Sequence, residues 1–388
     1  MPGKLLVNDL TPSSDEALAL RIKNWYAFSS SQTLAIELSA RRGESIRKGT
    51  SMSTLTGRCA NSHCECANCT CEDCGCQGSG SCGCFLNLRG RVAVVTGAGA
   101  GLGRSYALEL AARGAKVIVN DIGAALDGAG SDATPAEVVA REIVERGGEA
   151  VANNTSVATP DGGEAIVQYA IDEFQGVDIL VNNAGNMRLS SFAKLDVRSI
   201  NEILDVHLGG AFYVTHPAYS YMMKQERGRI IFTTSGLGIF GIYGADVYAA
   251  AKGGIDGLMS ALQLECERWG IKVNAVAPMA RTRMSGDDLY AELPNEAVGP
   301  EHVAPVVAYL SSDECAVNGE IWSVGAGSVA RVFTARTPGY YKHPTREGPL
   351  LVSDIASHIR EIVDTTGFTE PESWPAEWKM VADLYRAG

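Results

Sequence analysis

Ser235, Tyr248 and Lys252 are residue types that together can move a proton to or from a substrate oxygen. Tyr248 and Lys252 stand four apart in Tyr248-Ala-Ala-Ala-Lys252, which puts a phenol and an ammonium on one helix face. A phenol with an ordinary pKa of about 10 is a poor base at neutral pH. A neighbouring cation favours the phenolate and lowers that pKa. Ser235 follows the apolar run Arg229–Thr234, and its hydroxyl can hold the substrate oxygen while charge changes on it. A bound cofactor would then exchange the hydride.

A seat for such a cofactor lies upstream. Val92–Val95 runs into Thr96-Gly-Ala-Gly-Ala-Gly-Leu-Gly103 and then a helical pattern. Gly97, Gly99, Gly101 and Gly103, with Leu102 among them, let the backbone turn tightly and approach a pyrophosphate. The helix N-terminus behind them offers free N–H groups and a positive dipole end. Asp121 ends the next strand pattern, where a carboxylate can accept hydrogen bonds from the adenosine ribose and repel a 2′-phosphate. Ala98, Gly99 and Ala100 supply no basic side chain, and Arg104 is the one basic residue nearby. NAD is therefore expected ahead of NADP.

A third cluster is made of sulfur. Nine of the eleven cysteines fall in one stretch: Cys59, Cys64, Cys66, Cys69, Cys71, Cys74, Cys76, Cys82 and Cys84. Thiolates at this spacing can share soft ions, so the segment is a candidate zinc site, with His63 as a possible nitrogen ligand. Two other readings stand beside it: a modified-peptide segment, or an unmodified tail. The pairing differs from the Cys-x-x-Cys knuckles of a zinc ribbon, so no DNA-binding finger is expected. Cys266 and Cys315 are isolated and read as packing residues.

The elements that must position these groups are legible as alternation. Val92–Val95, Lys116–Asn120, Glu149–Ala152, Asp178–Asn182, Arg229–Thr233, Lys272–Val276 and Ile321–Val324 read as buried strands. Helical patterns lie between them near 101–113, 135–147, 162–175, 196–224, 246–269 and 300–311. The expected fold is α/β, a Rossmann-type doubly wound parallel sheet of about seven strands. An N-terminal helical and Cys-rich appendage precedes it. The segments are 1–50, with an amphipathic stretch from Ser14 to Ser39; 51–86, Cys-rich and of low complexity; 87–330, the catalytic domain; and 331–388, a C-terminal extension with a helix near 352–365. Met52 offers an alternative translation start, which would make 1–51 an artefact of gene assignment.

Composition narrows the function classes. The formal charge of −12 argues against a general nucleic-acid binder, which wants a basic face. The chain has no apolar run of membrane-spanning length, and its first and last residues read neither as a secretory signal nor as a peroxisomal address, so neither is expected. A cytoplasmic protein with a small-molecule substrate, off the membrane and off nucleic acid, is expected.

Three motifs in register carry a resemblance. Thr96-Gly-x-x-x-Gly-x-Gly103, Asn182-Asn-Ala-Gly185 and Ser235-x12-Tyr248-x3-Lys252 resemble the short-chain dehydrogenase/reductase family over about residues 88–330. The resemblance implies Tyr248 as acid/base, Lys252 as a ligand of the nicotinamide ribose and Ser235 as the group polarising the carbonyl or hydroxyl. It implies that Ser156, Val157, Asn183, Ala184, Gly185, Pro278 and Thr282 belong to the cofactor cleft. The family's Pro-Gly after the sixth strand is Pro278-Met279 here, which puts close backbone contact at Met279 in doubt. The family's Asn before the catalytic strand is His207 here, either a member of a proton relay or a filler of a helix kink. Titration of His207 would add a pH dependence near neutrality.

Finer likeness lies in Val119-Asn-Asp121, Asp205-Val-His-Leu-x-Gly-Ala-Phe, Ala277-Pro-Met-Ala-Arg-Thr-Arg-Met284 and Val324-Gly-Ala-Gly327. These resemble the (3R)-hydroxyacyl-CoA dehydrogenase module of peroxisomal multifunctional enzymes type 2 and bacterial relatives. That implies NAD-linked chemistry on a secondary alcohol, with acyl-CoA or steroid-like substrates as candidates. A substrate loop is expected over about 280–301, with an apolar pocket from Met284, Leu289, Tyr290 and Leu293 and a rim of Arg281 and Arg283. In the family that it resembles, helices like those near 196–224 and 246–269 commonly form a four-helix interface, so the resemblance implies a homodimer or homotetramer. The competing function is a thiol-rich metal-binding or modified-peptide protein fused to a dehydrogenase fold that serves as a cofactor sensor. The intact Ser235, Tyr248 and Lys252 set speaks against it, since a sensor does not need all three.

Overall fold

The computed structural model describes residues 86–125, 130, 132, 134–285 and 290–387. The expected helix over 14–39, the cysteine segment with its nine candidate ligands and His63, and Leu289 lie outside the described residues. Among the described residues no group of three or more His, Cys, Asp or Glu is arranged to hold a metal ion. Cys266 and Cys315 are free and buried. No helix among the described residues is long and apolar enough to cross a membrane.

The sheet grows outward from β1 (Val92–Thr96), whose five residues are all buried. On one side it pairs with β2 (Lys116–Asn120), which pairs with β3 (Glu149–Asn153). On the other side follow β4 (Ile179–Asn182), β5 (Gly228–Thr233), β6 (Ile271–Pro278) and β7 (Ile321–Gly325), all parallel. The strand order is β3-β2-β1-β4-β5-β6-β7-β8. Its direction reverses between β1 and β4, which opens a crevice beyond the strands' carboxyl ends.

Helices cover both faces. One layer has α1 (Gly101–Ala112), α2 (Thr134–Glu145) and α8 (Ala304–Leu310). The other has α3 (Pro160–Phe174), α5 (Gly210–Lys224) and α7 (Asp246–Cys266), with α4 (Val197–Leu204) outside α7. Each layer buries an apolar core against the sheet, with Val95, Val117 and Val181 facing one side and Val94, Ile118 and Leu180 the other. This is the double coverage that all-parallel strands require.

Two sequence expectations change. The sheet has eight strands: β8 (Ser328–Val332) turns back antiparallel on β7. Ala326 (φ +47°) and Gly327 (φ +77°) make the two-residue hairpin turn, whose backbone twist suits the strands on either side. β8 is an exposed edge strand, so it lacks the apolar run that marks a buried one, and it passes the expected boundary at 330. The expected single helix over 196–224 is interrupted by a π turn at Asp205–Gly209 between α4 and α5.

Beyond β8, α9 (Val352–Ile362) and α10 (Trp374–Ala387) form the C-terminal extension. His343 is buried there, stacked on Tyr385 at 4.7 Å. Lys342 pairs with Asp354 at 2.6 Å. The second helix lies in the Trp-bearing tail, where the sequence reading placed no helix; Trp374 and Trp378 stack on each other at its start.

Candidate active site

One cavity of about 830 Å³ runs along the crevice. Gly97, Gly101, Leu102, Gly103, Asp121, Ser156, Val157, Asn183, Ala184, Gly185, Pro278 and Thr282 line it, with Ser235, Tyr248, Lys252 and His207. Of the residues singled out for the cofactor, Gly99 stands behind the wall: a Cβ on it would lie 2.9 Å from the Asp121 carboxyl.

The turn after β1 is held by the first residue of the glycine motif, to which the sequence reading gave no role of its own. Thr96 Oγ1 accepts hydrogen bonds from the N–H groups of Asn183 (3.0 Å) and Ala184 (3.1 Å). Asn183 returns its Nδ2 to the carbonyl oxygens of Thr96 (3.0 Å) and Gly97 (3.1 Å). These bonds clamp the two loops that flank the switch point. A Cβ at Gly103 would sit 2.2 Å from the Gly97 oxygen, so only glycine lets α1 begin this close to the turn. The resulting bare backbone at a helix N-terminus suits a pyrophosphate.

At the end expected to take the adenosine, Asp121 accepts from Gly99 N–H (2.8 Å) and Gly123 N–H (2.7 Å). The basic residue nearby is already committed: Arg104 forks onto both oxygens of Glu142 at 2.7 Å. The Asp121 carboxylate shares this end with the Arg283 guanidinium, which reaches the Ala124 carbonyl oxygen.

The other end holds Ser235, Tyr248 and Lys252, the residues expected to handle the proton. Ser235 caps the short helix α6 (Gly236–Phe240), its Oγ accepting from Leu237 N–H at 3.1 Å, which leaves the hydroxyl hydrogen to donate elsewhere. Tyr248 and Lys252 project from α7, both buried. Lys252 Nζ donates to the Thr233 carbonyl oxygen at 2.6 Å and lies 5.6 Å from the Tyr248 ring centre. Burial pulls the ammonium down to about 8, while the charge of Asp256 pulls it up. Burial also raises the Tyr248 phenol above its ordinary value, and only the Ser235 hydrogen bond pulls it back. The sequence reading put the phenol low because of Lys252; in the folded chain desolvation is the larger effect.

His207 sits in the π turn, buried, with its ring edge-on to Tyr248 at 5.1 Å. Its Nε2 lies 2.8 Å from the Asn186 carbonyl oxygen and 3.1 Å from the Asn186 N–H, so it donates to the first or accepts from the second according to its tautomer. Its Nδ1 is buried without a protein partner, and Lys252 and His207 share a small space of about 10 Å³. The ring packs closely on the Asn182–Gly185 turn: a Cβ at Gly185 would come within 2.4 Å of Cε1. Desolvation, with Lys252 nearby, lowers the imidazole to about 3. That direction moves the expected inflection away from neutrality and favours the neutral imidazole.

That shift has a stability consequence. The folded pKa lies below the ordinary 6.5, so the unfolded chain binds the extra proton between the two values. Stability is thus full above about 6.5 and is lost as pH falls toward about 3. His207→Asn should remove this part of the acid sensitivity. Urea unfolding at neutral and mildly acid pH, compared between wild type and variant, measures it. An equal acid loss in both proteins would contradict the assignment.

The substrate side differs from expectation at its arginines. Arg281 does not line the cavity; it braces its own loop by donating to the Tyr290 carbonyl oxygen at 2.8 Å. Arg283 lines it and reaches the Ala124 carbonyl oxygen at 3.1 Å. Met279 does not line the cavity, whereas Pro278 and Ala280 do. Met187, Leu189, Ile242 and Tyr243 were not anticipated and make the wall apolar, joined by Met284, Tyr290 and Leu293 from the loop. Asn186, directly after the Asn-Ala-Gly run, was the available signal for the His207 anchor.

A family profile described as short chain dehydrogenase matches residues 91–289. The chain belongs to that family. A short-chain type dehydrogenase/reductase of Mycobacterium tuberculosis is 45% identical over 277 residues, which are 71% of this chain and 95% of that protein. The peroxisomal multifunctional enzyme type 2 of Mus musculus is 41% identical over 288 residues, 74% of this chain but 38% of that enzyme. The full-length enzyme of that name from Drosophila melanogaster superposes with a TM-score of 0.65 at 33% identity, covering 78% of this chain and 50% of that one. This chain is an oxidoreductase of the family acting on CH–OH groups. It spans only part of the multifunctional enzymes that it resembles.

Proposed function

We propose that the chain interconverts a secondary alcohol and a ketone with NAD, and that the substrate is a 3-hydroxyacyl thioester or another largely apolar alcohol. The observation that carries this reading is the convergence of Ser235, Tyr248 and Lys252 on the same cavity as the glycine turn. The cradle fits a dinucleotide: glycines leave backbone exposed at a helix N-terminus, and a carboxylate stands where ribose hydroxyls belong. When bound, the nicotinamide supplies the hydride acceptor or donor.

The chain's own residues handle the proton. Ser235 donates to the substrate oxygen and holds it beside Tyr248. In reduction, Tyr248, kept protonated by burial, gives its proton to that oxygen as charge develops there. In oxidation the phenolate takes the proton, and the Lys252 ammonium, fixed by the Thr233 carbonyl, stabilises it. His207 stays neutral and holds Tyr248 against the Asn182–Gly185 turn.

The apolar wall favours a hydrocarbon-bearing substrate. Leu189, Tyr243 and Leu293 line the cavity and keep exposed surface at its mouth. The test is turnover with NAD against a panel of secondary alcohols and hydroxyacyl thioesters. Turnover of the thioesters well above short polar alcohols supports the reading; the reverse order contradicts the substrate class. We also propose that copies pair through α5 and α7, where Phe212 and Leu264 are about half exposed. Light scattering of the purified chain should give a dimer or tetramer mass; a monomer would refute it.

The cofactor preference has its own test. Asp121→Asn removes the charge while keeping one acceptor for the turn. The ratio of kcat/KM for NADP to that for NAD should rise ~10-fold or more, equivalent to about 1.4 kcal/mol. An unchanged ratio would remove Asp121 from cofactor selection.

A further inference from the structure

The cavity is lined by four fully charged side chains among the described residues: Asp121, Lys252, Arg283 and Glu292. Lys252 is committed at the catalytic end, where its ammonium donates to the Thr233 carbonyl oxygen. Arg104, at the start of α1, forks onto Glu142. The Gly97–Gly103 turn itself offers backbone N–H groups but no basic side chain. A pyrophosphate is an anion, and among the described residues Arg283 is the lining cation left to meet it.

The chain after β6 is built to present that guanidinium. Thr282 N–H donates to Ser285 Oγ (2.9 Å), Met284 N–H to Thr282 Oγ1 (3.2 Å) and Ser285 N–H to the Thr282 carbonyl oxygen (3.2 Å). Just upstream, Arg281 N–H donates to the Val298 carbonyl oxygen at 2.6 Å. This arm lies against the start of α1: a Cβ at Gly101 would come within 3.4 Å of the Thr282 methyl group. From there Arg283 Nη2 reaches the Ala124 carbonyl oxygen at 3.1 Å, in the loop that follows Asp121. Ala124 and Arg283 both line the cavity, so the bond ties two of its walls together. The sequence reading set Arg283 on the rim of the substrate pocket; the folded chain ties it to the end expected to take the adenosine.

We propose that Arg283 binds the pyrophosphate of the cofactor and, through Ala124, ties the loop after β2 to the arm after β6 beside it. The inference rests on the cofactor reading above. The Ala124 carbonyl is a neutral partner, and the bond to it leaves further N–H donors of the guanidinium for a ligand. Their planar fork matches phosphate oxygens in pairs, which a backbone carbonyl cannot do. The charge is also needed. Without Arg283, the Asp121 and Glu292 carboxylates would give this crevice a negative field that opposes an anionic ligand.

ADP-ribose is the probe, since it carries the pyrophosphate without the nicotinamide or a 2′-phosphate. In calorimetric titration of the full chain, Arg283→Met should bind it ~5- to 10-fold more weakly than wild type. That is the lower part of what a charged hydrogen bond supplies, because the guanidinium is exposed. Arg283→Lys should fall between the two. Added salt should weaken wild type more than Arg283→Met, so that the two affinities converge. Adenosine, which has no phosphate, should bind both proteins equally by NMR titration; an equal loss of adenosine would mean a disturbed cleft and contradict the proposal. Equal affinity for ADP-ribose in wild type and Arg283→Met overturns it. So does a loss confined to 2′-phospho-ADP-ribose, which would place the contact on the 2′-phosphate. A wild type that does not bind ADP-ribose fails the cofactor reading itself, and the inference falls with it.

Discussion

Tyr248→Phe should lower kcat/KM by ~100- to 10,000-fold, the range expected when a positioned acid/base is removed. The substitution deletes one oxygen and keeps the ring. The edge-on contact with His207 at 5.1 Å and the packing on α7 therefore remain. Cofactor affinity should stay close to wild type, because the glycine turn and Asp121 are untouched. The loss should fall on kcat more than on KM, since Tyr248 acts on charge that appears during the reaction. Steady-state kinetics alongside NADH binding by fluorescence make the check. A variant that keeps wild-type kcat would remove Tyr248 from the chemistry. One that loses kcat and NADH binding together would mean the hydroxyl is structural.

Gly103→Ala should act at the opposite end and in the opposite way. The new Cβ would lie 2.2 Å from the Gly97 oxygen and 2.6 Å from Asn183 Nδ2. Both contacts are far inside van der Waals range, and both partners belong to the clamp around Thr96. Overpacking of this kind costs about 1–3 kcal/mol. The strain falls on the turn that would receive the pyrophosphate, so NADH affinity should drop ~10-fold or more. Gly257→Ala is the matched control: it also lies in a helix, but nothing stands within 4 Å of its added Cβ. Calorimetric titration with NADH should show the loss in the first variant and not in the second. Equal affinity in both would contradict the turn's assignment.

The legible parts of this chain were those in which short-range sequence fixes geometry. The Gly97–Gly103 turn, the Asn182–Gly185 run and the Tyr248–Lys252 pair each sit within a few residues on one element, so spacing alone places them. The central strands β1, β2, β4, β5 and β6 were readable because burial on both faces makes them continuous apolar runs, whereas β3 and β7 are only partly buried. β8 escaped because an exposed edge strand carries no such run. The π turn escaped because Asp205–Gly209 fits a helical pattern, and the extra residue in the turn shows only when α5 packs against Val157.

What the sequence did not carry were properties of the folded environment. A neighbouring lysine suggested a low phenol pKa, but Tyr248 is buried and the cost of charging it there is greater. His207 titrates near neutrality in water, yet not when wedged against Gly185 and facing Lys252. Arg281 looked like a rim residue, and it turned inward because its loop needed a donor for the Tyr290 carbonyl. Thr96 opens the glycine motif, yet what it holds shows only through Asn183 and Ala184, distant in sequence.

The central claim is that this cavity moves hydride between a secondary carbinol carbon and a nicotinamide. The most direct measurement supplies wild-type protein with NAD and a 3-hydroxyacyl thioester deuterated at the carbinol carbon, then weighs the reduced cofactor by mass spectrometry. The account predicts one deuterium in the reduced cofactor with wild type and almost none with Tyr248→Phe over the same time. Reduced cofactor that carries no deuterium from a thioester that is consumed would contradict it.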